Sequence, residues 1–194
     1  LKQALKLKRW NVEKKSIIYE KNDKYIDVYQ FLEALSGKCD YHFITSNGMT
    51  AETPHQALKL KKGQRLITNT AFGEMGKGLP MSIGACIANN KKPVICIEGD
   101  GSIMMNIQEL QTIIYHKLPI KIFLFNNGGY YSIRNTHINY FGKVFAADEN
   151  SGVGLPDWSK LAPAFGIKYE SIKDENDLYK IKDVLDFNGP IFCE

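Results

Sequence analysis

The sequence predicts an α/β fold, a doubly wound parallel sheet with helices on both faces. Two apolar runs, "PVICIEG" and "PIKIFLFNN", lack the polar alternation of a half-exposed strand, as strands covered on both faces do. Segments with helical spacing alternate with strand-like segments along the chain, the pattern of strand-helix-strand units. Both apolar runs end in polar, glycine-containing turns, and sheets of this kind bind ligands at the carboxyl ends of their strands.

Each element follows from local features. After a polar lead-in over residues 1–24, "IDVYQFLEAL" has apolar residues at helical spacing and stops at Ser36-Gly37. "YHFITSNG" reads as a short strand running into a turn. "TPHQALKLKKG" reads as a helix with Thr53 as N-cap, Pro54 in first position and Gly63 as terminator. "RLITN" is another short strand, and "GEMGKGLPMSIGACIANN" is a glycine-rich loop feeding a tightly packed helix. The helix "IQELQTIIYHK" joins the two buried strands, and "YYSIRNTHINYFG" forms the helix after them. "LPDWSKLAPAFG", "IKYESI", "ENDLYKIKDVLDF" and "PIFCE" continue the alternation, so one domain is expected over residues 25–194.

Composition excludes several classes. With 194 residues, 44% of them apolar and 24% charged, the chain resembles an ordinary globular protein. A net charge of +4, with lysines dispersed outside "LKQALKLKR", is not a nucleic-acid footprint. Cys39, Cys86, Cys96 and Cys193 form no Cys-x-x-Cys pair, and three lie in apolar segments, which predicts a reducing compartment and no metal cluster. His42, His55 and His116 show no ligand spacing. No apolar stretch nears the roughly 20 residues of a membrane span, so a cytoplasmic protein is expected. The chain starts at Leu1 and stops in an apolar run, which suggests a piece of a longer polypeptide.

The strand tips carry the chemistry. Gly99-Asp100-Gly101 follows one buried strand and Asn126-Asn127-Gly128-Gly129 the other. A right-handed crossover would set these strands parallel and bring Asp100 and Asn127 to the same edge. A carboxylate and an amide oxygen are hard ligands suited to magnesium or calcium, and the glycines let backbone amides approach phosphate oxygens. Taken one by one, the two stretches also read as a tight turn and a strand terminator.

Taken together, with "NIQEL" and a spacing of a little under thirty residues, they closely resemble the thiamine-diphosphate signature of the superfamily of acetohydroxyacid synthases, pyruvate decarboxylases and benzoylformate decarboxylases. The resemblance runs from about Ile26 onward and identifies a cofactor-diphosphate-binding, or PP, domain most similar to acetolactate synthase-like members. It implies thiamine diphosphate and Mg2+ as cofactors. Asp100, Asn127 and the Gly129 carbonyl would then hold the metal, while Gly99, Gly101, Ser102 and Tyr130 would contact the cofactor. "FGEMGKGLPMSIGA" resembles a second family motif, in which Met75 would be the apolar wedge that bends the cofactor. The Gly73 carbonyl would accept from its 4'-amino group, the contact that supports internal proton removal. "TSNGMT" occupies the place of a third, weaker motif, with Asn47 and Gly48 as diphosphate contacts.

The resemblance further implies action on a 2-keto acid, by decarboxylation or carboligation through a carbanion-enamine. The family's activating glutamate belongs to a PYR domain of the same or a partner subunit, in a homodimer or homotetramer. Nothing here resembles that domain, and neither Glu74 nor Glu98 is placed to stand in, so this chain alone is expected to be inactive. The helix after Asn127 has no Trp, a departure from branched-chain synthases, and offers Tyr130, Tyr131, Arg134 and His137 either for the substrate entrance, with Arg134 suited to a carboxylate, or simply as a solvated helix face. The alternative is a non-catalytic module that keeps the fold for assembly or regulation. Neither a P-loop nor a dinucleotide fingerprint is present.

Overall fold

Val94–Gly99 and Ile120–Phe125 each carry apolar side chains on two faces, and each becomes a central strand with helices packed above and below. The computed structural model describes residues 25–194. The lead-in expected over residues 1–24 lies outside the described residues.

Six strands form one all-parallel sheet: β1 (His42–Thr45), β2 (Leu66–Ile67), β3 (Val94–Gly99), β4 (Ile120–Phe125), β5 (Lys168–Glu170) and β6 (Ile191–Cys193), in the order β2-β1-β3-β4-β6-β5. The helices are α1 (Val28–Leu35), α2 (Met49–Ala57), α3 (Gly78–Ala88), α4 (Asp100–Ile103), α5 (Glu109–Tyr115), α6 (Tyr131–Phe141), α7 (Trp158–Ala164) and α8 (Lys180–Asp186). Alternation along the strands divides the core. Val94, Cys96, Ile120, Ile122 and Leu124 pack with residues of α3, α5 and α7. Ile95, Ile97 and Phe123 pack on the other face with residues of α1, α2 and α8. Each large apolar side chain so buried contributes about 1.5–3 kcal/mol, which makes β3 and β4 the firmest part of the sheet. The doubly wound architecture is therefore as expected.

The strand order also locates a switch. From β1 the chain goes out to β2 at the edge, then returns past β1 to β3 and continues away from it to β4. Connections leave β1 and β3 in opposite directions, and the crevice outside their carboxyl ends is where such sheets accept ligands.

Four expectations need correction. The helix assigned to "TPHQALKLKKG" runs instead over Met49–Ala57, because the Gly48 carbonyl accepts from the Ala51 and Glu52 amides directly after β1. Thr53 is not its cap: its hydroxyl bonds the Met49 carbonyl one turn back (2.6 Å), and Pro54 lies inside the helix. Gly63, at φ +91°, serves the turn that precedes β2. Gly99-Asp100-Gly101 is not a tight turn either, since β3 runs through Gly99 and Asp100 opens α4 without a break.

Cys86, Cys96 and Cys193 are buried free thiols, as their apolar surroundings suggest, and Cys39 is half-buried. Among the described residues, no helix is long and apolar enough to cross a membrane. α6 contributes no buried residue and leaves Ile133, Ile138, Tyr140 and Phe141 exposed.

Candidate functional site

β3 and β4 are paired in register from Val94 opposite Ile120 to Gly99 opposite Phe125, so the residues that follow them emerge side by side. Asp100, only 1% exposed, is the hub of this edge. Its Oδ1 accepts from the Gly101 amide (2.7 Å), and its Oδ2 accepts from the amides of Asn127 (3.0 Å), Gly128 (2.7 Å) and Gly129 (2.9 Å). Burial pushes its carboxyl above the ordinary aspartate value, although all four amides pull the other way. A cation placed beside it would favour the charged form.

The glycines are there for close approach. At φ +127° Gly129 occupies backbone space that a side chain rarely tolerates, and an added Cβ would run into the Ala147 carbonyl. A Cβ on Gly101 would collide with the Tyr130 ring, which closes over α4. The Asn127 side chain is exposed at this edge.

The segment carrying Met75 is tied to both strands that flank the switch. From the β1 side, Asn47 Nδ2 donates to the Gly73 carbonyl (2.8 Å). From the β3 side, Asn106 Nδ2 donates to the Gly76 carbonyl (2.6 Å), and the Gly76 amide donates to Ser102 Oγ (2.8 Å). Ser102 also shares a hydrogen bond with Ser46 Oγ (2.8 Å). Met75 is half-buried between these ties. Glu74 pairs with Lys77, which holds its carboxyl below the usual range.

Glu98, fully buried, lies under this junction. Its Oε1 accepts from the Gly99 amide (3.2 Å), and its Oε2 lies where a Cβ on Gly78 would be, at the start of α3. Burial raises its carboxyl above the ordinary value, against the Ser46 and Ser102 hydroxyls beside it.

The expected residues thus fall into groups. Gly99, Asp100, Gly101, Asn127, Gly129 and Tyr130 converge on one edge. Gly73 and Met75 belong to the adjoining loop, with Asn47 and Ser102 bracing it from either side. Gly48, at φ +55°, caps α2 beside them. Arg134 does not offer a free guanidinium to the entrance: Nη1 and Nη2 donate to the carbonyls of Gly128 (3.3 Å) and Asn127 (3.0 Å). His137 lines a shallow depression of about 280 Å3 with Ser132, Ile133 and Thr136, and its Nδ1 accepts from the Phe145 amide (3.3 Å). A larger cavity of about 690 Å3, lined by His55, Leu58, Arg65 and Leu66 among others, lies along the β2 edge and contains none of the tip residues.

Sequence reading missed Ser46, Asn106 and the junction role of Glu98. A glutamate inside the apolar run "PVICIEG" was a signal for Glu98, and Asn106 opens the "NIQEL" segment of the resemblance, although nothing in that segment pointed to the Gly76 carbonyl. Among the described residues no three His, Cys, Asp or Glu side chains cluster, so a metal here would need amide and carbonyl oxygens beside Asp100.

A doubly wound parallel sheet with an amide-bound acid at its switch point defines an α/β protein of the class that binds ligands at the carboxyl edge of its sheet. Residues 46–194 match the family model described as "Thiamine pyrophosphate enzyme, C-terminal TPP binding domain", and the chain belongs to that family. It is similar to the acetolactate synthase large subunit of Porphyra purpurea, 36% identical over 156 residues, which are 80% of this chain and 26% of that protein. It is also similar to the acetolactate synthase isozyme 2 large subunit of Escherichia coli (strain K12), 37% identical over 128 residues, which are 66% of this chain and 23% of that protein. A third relative, the probable acetolactate synthase large subunit of Methanococcus aeolicus, is 36% identical over 140 residues, 70% of this chain and 22% of its own length. The chain spans about a quarter of the length of these relatives.

Proposed function

We propose that residues 25–194 form the PP domain of a thiamine-diphosphate- and magnesium-dependent enzyme that acts on a 2-keto acid, by decarboxylation or by carboligation to an acceptor. The observation that carries this reading is the convergence of the Asn127, Gly128 and Gly129 amides on the Asp100 carboxylate, which fixes the two strand tips as one unit. The donor set suits Mg2+: the Asp100 carboxylate, the exposed Asn127 side chain and the Gly129 carbonyl are hard oxygen ligands, which leave room for water and diphosphate oxygens. Gly99, Gly101, Ser102, Asn47, Gly48 and Tyr130 complete the diphosphate side.

When bound, the cofactor supplies an electron sink for the bond to the departing carboxylate. The chain's own residues hold and shape it. Asn47 fixes the direction of the Gly73 carbonyl, so that this acceptor is oriented before an amino group reaches it. Met75, anchored one residue from the doubly tied Gly76, presents an apolar surface against which a bent ligand can rest. The activating acid and the walls around the pyrimidine would come from a PYR domain of the same or a partner subunit, in a homodimer or homotetramer. This chain alone is expected to show negligible turnover.

The test is magnesium-dependent binding of thiamine diphosphate by the full-length protein and by its Asp100→Ala variant. Binding should be lost or weakened more than about 100-fold in the variant, because outer partners of metal ligands alone are worth about 10–100-fold and Asp100 is assigned as a ligand itself. Equal binding by both proteins would sink the assignment.

A further inference from the structure

We infer that Arg134 is a positioning residue of the metal site, acting through two peptide units of the Asn127–Gly129 loop; the inference rests on the magnesium-diphosphate reading above. The Asn127 carbonyl and Gly128 amide belong to one peptide unit, the Gly128 carbonyl and Gly129 amide to the next. In a trans peptide the carbonyl and the amide point in opposite directions. On one side both amides donate to Asp100 Oδ2, at 2.7 and 2.9 Å. On the other side both carbonyls accept from Arg134, Nη2 at 3.0 Å and Nη1 at 3.3 Å. The two peptide planes are thus held between an anion and a cation that never touch.

The arrangement has physical consequences. A carbonyl that accepts from a guanidinium polarises its peptide, and the amide opposite becomes a stronger donor. Arg134 therefore strengthens the hold on Asp100 from the far side of the loop and fixes the loop's turn, on which the positions of the Asn127 side chain and the Gly129 carbonyl depend. Each carbonyl takes its own guanidinium nitrogen, a two-nitrogen fork that the single Nζ of a lysine does not reproduce. Arg134 is itself held in place: Asp148 Oδ2 lies 3.9 Å from Nη1, and the guanidinium stacks at 5.6 Å from the Tyr131 ring centroid. Asp148 in turn faces Gly129 through a backbone bridge, so the fork and the segment behind the loop form one brace. These bonds engage both Nη atoms of Arg134 with the loop.

The decisive measurement is magnesium affinity in the full-length protein at saturating thiamine diphosphate, followed by intrinsic fluorescence, for wild type, Arg134→Ala and Arg134→Lys. Arg134→Ala should weaken magnesium binding about 10- to 100-fold, the range over which outer partners of metal ligands act. Arg134→Lys should recover little of this, and free guanidinium, but not ethylammonium, should restore the alanine variant. Unchanged affinity in Arg134→Ala, full recovery by lysine or equal rescue by ethylammonium would overturn the inference while leaving wild-type binding intact. Should the alanine variant fail to fold, Arg134→Lys decides by itself: weakened affinity in it supports the fork, and wild-type affinity excludes it. A wild-type protein that binds no magnesium-thiamine diphosphate would instead overturn the underlying reading.

Discussion

Lys121 shows how far the fold overrides a single residue's preference. Both faces of β4 are covered, so a lysine at this position is buried whichever way it points, and Lys121 is 1% exposed. Its Nζ donates to the Phe187 carbonyl and to the Gly189 carbonyl (2.9 Å), just beyond the end of α8, where a cation is favoured. Burial nevertheless lowers its pKa from the ordinary 10.5 to about 8, with Asp186 opposing. Below pH 8 both folded and unfolded chains carry the proton, and the full cost of the buried charge is present. Between about 8 and 10.5 the unfolded chain binds more protons, so stability rises with pH through that window. Compared with Lys121→Met, the wild type should gain up to about 3 kcal/mol as pH is raised from about 7 to about 10. Urea unfolding of both proteins at several pH values measures this, and parallel pH profiles would refute it.

At the scale of elements, the Met75 loop matters because it has no regular structure of its own yet is held at both ends. Asn47, just beyond β1, holds Gly73; Asn106, in the 3-10 turn Met104–Asn106 after α4, holds Gly76. Gln108 Nε2 donates to Asn106 Oδ1 (3.1 Å), which turns the Asn106 amide toward Gly76. The loop therefore moves with the two strand tips that flank the switch. Asn106→Ala should cost about 1 kcal/mol, the net worth of one such hydrogen bond, and should loosen the loop selectively. Amide exchange followed by mass spectrometry should be faster over residues 73–77 and unchanged in β3 and β4. Unaltered exchange over residues 73–77 would show that the Asn106 tie is dispensable.

The same elements mark what sequence can disclose. β3 and β4 were legible because burial on both faces demands an unbroken apolar run, and the acid and amide at their tips because strand adjacency follows from the crossover. α2 was misplaced because it has no clear apolar stripe: Thr50 and Thr53 are among its buried residues, and its start is dictated by Gly48 in the turn after β1. The parts played by Arg134 and Asn106 depend on backbone atoms distant in sequence or on the geometry of a turn, and neither leaves a periodic trace.

For the whole molecule, the main consequence is that ligand binding and sheet stability act on the same strands. The proposed site joins the tips of β1, β3 and β4, three successive neighbours in the sheet. Metal and diphosphate bound there recognise the folded arrangement only, because in an unfolded chain Asp100 and Asn127 have no fixed separation. Binding must therefore stabilise the fold by mass action, by about 2.7 kcal/mol at a ligand concentration near 100 times Kd. The metal is the conditional part of this gain, since without a cation to bridge them the Asp100 carboxylate and a diphosphate face each other as like charges, and the amides of residues 127–129 are already bound to Asp100. In the full-length protein, thiamine diphosphate with Mg2+ should raise the thermal midpoint, and excess EDTA should remove most of that rise although the organic cofactor is still present. A rise that survives EDTA in full would mean that the diphosphate is held by protein donors alone, and Asp100 would then be a structural anchor for the β4 loop rather than a metal ligand.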